Sequence, residues 1–310
     1  MNAPVRGSGA MIRPPRLREG ARVALIAPAG PITDERIEIA LDRCARLGLV
    51  PALGAAARGR HGGYLAGNDD ERLDDLQWAL TSPEIDAVWA LRGGYGTMRL
   101  LNRLDLEPIA RRPRAYIGFS DNTAVHLALL ARHVVSFHAP HAGGDATPLA
   151  EQCLRDVLFD ARAAGVLPLP AAPRPVTLRP GAAEGPLIGG NLALLAAMCG
   201  TPGAPVARAA IVFVEDIGEH GYRVDRQWTQ LVLAGALDGV AGIAFGRFTD
   251  CGDSAEVRAL LQTFADDAGV PAVMDLPIGH VPDNWTLPLG VRARLDASRG
   301  TLELLEPAVS

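Results

Sequence analysis

A chain of 310 residues with 48% hydrophobic side chains is long enough to bury a sizeable core and, on length alone, favours two domains over one. Its net charge of −5 gives no field that would draw it to nucleic acid or anionic lipid, and with 5% aromatics its apolar excess suits helices packed on strands. The opening MNAPVRGSGAMIRPPRL lacks an apolar signal core and no later window could cross a bilayer, so the chain reads as cytoplasmic with no membrane partner.

ARVALIAPAG (21–30) is an apolar run closed by Pro and Gly, as expected of a buried parallel strand. Thr33 or Asp34 then caps a helix in which Ile37, Ala40, Leu41 and Cys44 recur at helical spacing until Gly48. A second helix is expected over Asp69 to Leu80. IDAVWALRGGYG is a strand running into a glycine-rich turn, and RAYIGFSDN is another that leads into a helix carrying Val125, Leu127, Leu129 and Leu130. This alternation predicts an α/β unit with a parallel sheet.

The stretch LPLPAAPRPVTLRPGAAEG denies helix and breaks strand pairing, so residues 166–184 read as a linker between an N-terminal domain (1–165) and a C-terminal domain (185–310). Beyond it, strands are expected at 209–216, 239–248, 271–280 and in VRARLDASRGTLELL, whose SRG (298–300) is a turn. Helices fit at 191–199, 224–234 and 255–268. Cys44, Cys153, Cys199 and Cys251 are too scattered for a zinc knuckle or disulfide framework and read as small buried hydrophobes.

Reactive groups of open parallel sheets collect where strand C-termini meet helix N-termini. Four polar clusters occupy such ends: RGGYG, GFSDN, VEDIGEHGYR and GHVPDNWTLPLG. Ser120 in GFSDN either exposes its hydroxyl beside N–H groups able to bind an oxyanion, or it or Asp121 simply caps the helix. Asn122 stands where the G-x-S-x-G elbow has its second glycine.

A serine nucleophile needs a base. His126 and His133 fall in or at the end of a helix and read as surface or cap residues, while His61, His138 and His141 lie in turn-like segments. His138 and His141 are spaced H-x-x-H without a third ligand, so no metal is expected. His280 follows the apolar VMDLPIG, which would bring it to the polar rim. Glu215 ends the apolar IVFV and is the best placed carboxylate, with Asp216 on the opposite strand face; Glu215 could instead pair with Arg223 or Arg247. RGGYG lacks both the dinucleotide G-x-G-x-x-G and the P-loop GK[ST], so no nucleotide cofactor is expected.

Taken in order, IAPAGP, LRGGYG, IGFSDNTAVH, the GGNL ending at Leu192, VFVEDIGEHGYRVDRQ, GRF and GHVPDNWTLPLG resemble the L,D-carboxypeptidase family, which includes muramoyl-tetrapeptide carboxypeptidases and microcin C self-immunity hydrolases. The resemblance implies a flavodoxin-like N-terminal domain with a parallel sheet and a smaller β-rich α/β C-terminal domain. It also implies a Ser120–Glu215–His280 triad and an oxyanion hole from the N–H groups of Asp121 and Gly94.

The implied reaction removes a C-terminal D-amino acid from a small peptide such as murein tetrapeptide, without a cofactor, in an enzyme that is often a homodimer. Arg223 or Arg247 is a candidate cation for the substrate carboxylate, and Asn191 a further substrate-binding candidate. The microcin-type alternative calls for an aromatic that stacks on a base, with Trp285 and Tyr95 as candidates, and a non-catalytic two-domain ligand binder is the reading of another class.

Overall fold

Side chains alternate faces along the first strand, and that alternation sets the layers of the molecule. The computed structural model describes residues 10–310. Strand β1 (Arg22–Ile26) sends Val23 and Leu25 into one core and Ala24 and Ile26 into another. Thr33 accepts from the Arg36 N–H to start α1 (Asp34–Arg46), and an Asn68–Glu71 capping box starts α2 (Asp69–Thr81) after β2 (Val50–Leu53). The first half continues through β3 (Ala87–Ala90), α3 (Glu107–Arg111), β4 (Ala115–Gly118), α4 (Thr123–Leu130), β5 (Ser136–His138) and α5 (Pro148–Leu158).

The second half holds β6 (Gly165–Val166), β7 (Val176–Arg179), β8 (Ala182–Asn191), α6 (Leu192–Ala197), β9 (Ile211–Ile217), α7 (Gly221–Leu233), β10 (Gly242–Thr249), α8 (Ser254–Ala268) and β11 (Ala272–Met274). Strands β12 (Leu287–Leu289), β13 (Arg292–Asp296) and β14 (Thr301–Leu304) follow, with β13 and β14 joined by the expected turn.

The first sheet runs β12-β5-β4-β3-β1-β2, and its parallel strands have the flavodoxin order 2-1-3-4-5. The second runs β6-β14-β13-β8-β9-β10-β11-β7, parallel through β8, β9, β10 and β11 and antiparallel elsewhere. One apolar core joins the sheets, containing Leu25, Trp89, Ile117 and Phe137 from the first and Leu187, Ile211, Phe213 and Ala244 from the second. A second core lies between the second sheet and helices α6, α7 and α8, and a third lies under α2 and α4.

Three expectations are corrected here. The proline-rich stretch does not break strand pairing: β7 lies between Pro175 and Pro180, keeps every N–H, and pairs with β11, while β6 pairs with β14. The strand expected over 271–280 stops at Met274, because Asp275 adopts φ +66° and turns the chain. Finally, β12 leaves the second half and pairs antiparallel with β5, so the first sheet joins one strand of the second half to five of the first.

Trp285, just before β12, is wholly buried, and its Nε1–H donates to Pro168 O at 2.7 Å. Truncating so large a buried side chain costs about 3–5 kcal/mol. Trp285→Ala is therefore expected to lower the urea midpoint of unfolding followed by far-UV circular dichroism.

Candidate active site

The strand-to-helix turn after β4 is strained at one residue. Ser120 has φ +60°, a left-handed conformation that costs a non-glycine residue about 1–3 kcal/mol. It opens a short 3-10 turn (Ser120–Asn122) and does not cap α4, whose N-cap is Asn122. Asp121 does not cap α4 either: its buried carboxylate accepts from Thr97 N–H at 2.8 Å, and Thr97 Oγ1 donates to Asp121 O at 2.7 Å. Asn122 is buried where the elbow pattern has glycine, accepting from Tyr116 OH and donating to Phe119 O. The close approach is met by other glycines. A Cβ on Gly118 would lie 3.1 Å from Asn122 Cγ, and one on Gly93 only 2.9 Å from Ser120 Cβ.

Strand parity brings the carboxylate to the same place. Along β9, Ile211 and Phe213 face the core between the sheets while Val212 and Val214 face α6 and α7. Glu215 therefore points toward the first sheet and Asp216 toward α6, where Asp216 accepts from Asn191 Nδ2 and Ala193 N. Glu215 pairs with neither Arg223 nor Arg247. Its Oε2 accepts from His280 Nδ1 at 2.7 Å, and His280 Nε2 lies 3.1 Å from Ser120 Oγ. With Glu215 as acceptor, the imidazole proton sits on Nδ1 and Nε2 is free to accept from the serine.

His280 stands on a loop fixed by hydrogen bonds from Gly279 N to Asn284 Oδ1, from Arg247 N to Ile278 O, and from Thr249 Oγ1 to His280 O. Gly279 is required there, since a Cβ would fall 2.4 Å from Glu215 Oε2 and its φ is +102°. Glu215 is wholly buried, and its other oxygen has no hydrogen-bond partner among the described residues.

The glycine-rich loop after β3 runs alongside Ser120. Gly30 N–H donates to Gly93 O at 3.0 Å, and Gly94 is exposed with φ +111°. Arg72 of α2, wholly buried, ties the loops together by donating to Pro28 O at 2.6 Å and Gly96 O at 3.0 Å. Sequence reading passes over Arg72, because an arginine on a polar helix normally faces solvent.

The substrate-binding candidates are placed less favourably. Arg223 is half exposed and pairs with Glu219 at 3.5 Å, and Arg247 pairs with Asp275 at 2.8 Å. Asn191 is buried: its Oδ1 accepts from Leu194 N to cap α6, its Nδ2 donates to Asp216, and its backbone N–H donates to Thr123 Oγ1 at the start of α4. Trp285 is buried and unavailable for stacking, whereas Tyr95 is exposed with its ring 6.0 Å from that of Tyr64.

His126, read as a surface or cap residue, is buried instead, and His138 and His141 are buried with it. His126 bridges Ser136 Oγ and Gly118 O, His138 ends β5 between the rings of Phe119 and Phe213, and His141 packs against Phe119 at 4.3 Å. His141 also lines a cavity of about 290 Å³ with Phe119, His280 and Pro282. Burial lowers all three imidazoles, His126 to about 4, His141 to about 3 and His138 well below the usual value. Because these folded-state values are depressed, the stability they contribute is intact above about pH 6.5 and is lost as pH falls through the folded values. The Cε1–H NMR signals of His126, His138 and His141 are expected not to shift between pH 8 and pH 5.

The sequence and structure match known proteins along most of their length. Residues 23–139 match the LD-carboxypeptidase N-terminal domain model and residues 184–295 the LD-carboxypeptidase C-terminal domain model. The murein tetrapeptide carboxypeptidase of Pseudomonas aeruginosa is 37% identical, over 90% of this chain and 94% of that one. The crystal structure of muramoyltetrapeptide carboxypeptidase from Oxalobacter formigenes has a TM-score of 0.78 at 32% identity, covering 92% of this chain and 98% of that one. The wild-type apo structure of the microcin C7 self-immunity protein has a TM-score of 0.88 at 23% identity, covering 96% and 100%, a likeness of fold. With both domain models matched in order, the chain belongs to the LD-carboxypeptidase family and is a carboxypeptidase.

Proposed function

We propose that this enzyme is a serine LD-carboxypeptidase that removes a C-terminal D-amino acid from murein tetrapeptide or a related small peptide, as part of cell-wall peptide recycling. The observation that carries the reading is the unbroken hydrogen-bond chain from Ser120 Oγ through His280 to Glu215. Ser120 attacks the penultimate residue's carbonyl carbon while His280 Nε2 takes its proton. Glu215 stabilises the imidazolium and holds its tautomer. The tetrahedral oxygen accepts from the N–H groups of Asp121 and Gly94. Collapse breaks the C–N bond, His280 returns the proton to the leaving amine, and the D-amino acid departs. Water then attacks the acyl-enzyme with His280 again as base, freeing the shortened peptide and Ser120.

A second reading, hydrolysis of an aminoacyl–nucleotide conjugate of the microcin type, draws on the exposed Tyr64–Tyr95 pair as a surface for a base. Mass spectrometry of the products formed from murein tetrapeptide and from an aminoacyl sulfamoyl adenosine separates the two readings. Release of D-Ala from the first is expected, with Ser120→Ala and His280→Ala each lowering kcat by about 10⁴-fold or more. Cleavage of the conjugate alone favours the second reading, and turnover of neither overturns both.

A further inference from the structure

A carboxypeptidase cuts next to a chain end, so the substrate's terminal carboxylate is separated from the scissile nitrogen by a single carbon. A cation that recognises it must stand within a side chain's reach of the nucleophile. Neither arginine singled out from the sequence is free to do so. Arg223 pairs with Glu219 and lies over the Tyr222 ring, and Arg247 pairs with Asp275 in a wall that also carries Asp250 and Asp283. An incoming carboxylate would have to displace, or sit beside, carboxylates already there.

Arg92 differs in its partners. It directly precedes Gly93, which abuts Ser120, and it is exposed. Its Nη1 donates to Pro31 O at 2.6 Å, and among the described residues no carboxylate pairs with it. Its charge is near enough to His141, in the cavity that His280 also lines, to add to the lowering of that imidazole. Arg60 repeats the arrangement: it is exposed, donates to Ile32 O at 3.3 Å, and has no carboxylate partner among the described residues. Adjacent carbonyls thus hold two guanidinium groups on the segment that follows Gly30, itself bonded to Gly93. A carbonyl orients a guanidinium without neutralising it and leaves donors free for a bidentate carboxylate.

We infer that Arg92 receives the substrate's terminal carboxylate and that Arg60 takes a second acidic group farther along the peptide, so the site selects free-acid, multiply anionic peptides. This rests on the reading of Ser120 as nucleophile. The test is the ratio of kcat/KM for a murein-type tetrapeptide ending in free D-Ala to that for its C-terminal amide. In Arg92→Gln the ratio is expected to fall about 10- to 100-fold, the range set by a charge-assisted hydrogen bond, and to recover partly in Arg92→Lys. A ratio unchanged in Arg92→Gln, or lost in Arg247→Gln instead, overturns the inference and leaves the nucleophile reading intact. Cleavage of neither peptide by the unaltered enzyme overturns both.

Discussion

The 2.7 Å hydrogen bond between His280 and Glu215 is the contact on which the rest of the site depends. It needs a carboxylate buried in the core between two sheets, where an ionised group is costly unless paired. Strand parity directs Glu215 there, and Gly279 lets the His280 loop come close enough to touch it. Asp216, one residue on, faces the other way and holds the start of α6 through Asn191 and Ala193. Neighbouring carboxylates thus have separate tasks because a strand presents alternate faces.

The first half supplies the complementary geometry. The strained Ser120 sits between glycine-rich segments that a single added methyl group would disturb, and these are held from behind by buried cations. Arg72 secures the loops after β1 and β3. Arg43, also buried, donates to His141 O at 2.9 Å and pairs with Glu151 at 3.0 Å, fixing the segment beside Phe119. Asn191 N–H reaches Thr123 Oγ1, so the strand that neighbours β9 also touches the helix that follows Ser120. The reactive arrangement therefore belongs to neither half alone.

Much of this was legible in the sequence. A cap at Thr33 or Asp34, which the structure resolves to Thr33, the helix over 69–80 and the α/β alternation all follow from local pattern, and Ser120, Glu215 and His280 each follow an apolar stretch that leads to a polar edge. What escaped local reading depends on contacts between distant segments. Val176–Arg179 pairs as a strand despite flanking prolines because β11 lies beside it, and β12 crosses to the first sheet. His126 is buried by tertiary packing that an eight-residue apolar helix does not reveal on its own. Arg223 and Arg247 have the right chemistry for a carboxylate, but their acidic partners are visible only in three dimensions.

In the proposed mechanism Ser120 becomes reactive only when the two halves bring Glu215 and His280 against it. Gly279 has no contact with substrate in the proposed mechanism, yet a Cβ there would collide with Glu215. The most direct measurement is the rate at which a fluorophosphonate labels Ser120 in the unaltered enzyme and in Gly279→Ala, followed by intact mass. Labelling of Ser120 is expected in the unaltered enzyme, at a rate about 10²-fold lower in Gly279→Ala, the scale of loss from a misplacement of about 1 Å. Equal rates in the two proteins, or an adduct on a residue other than Ser120, would contradict the proposed mechanism.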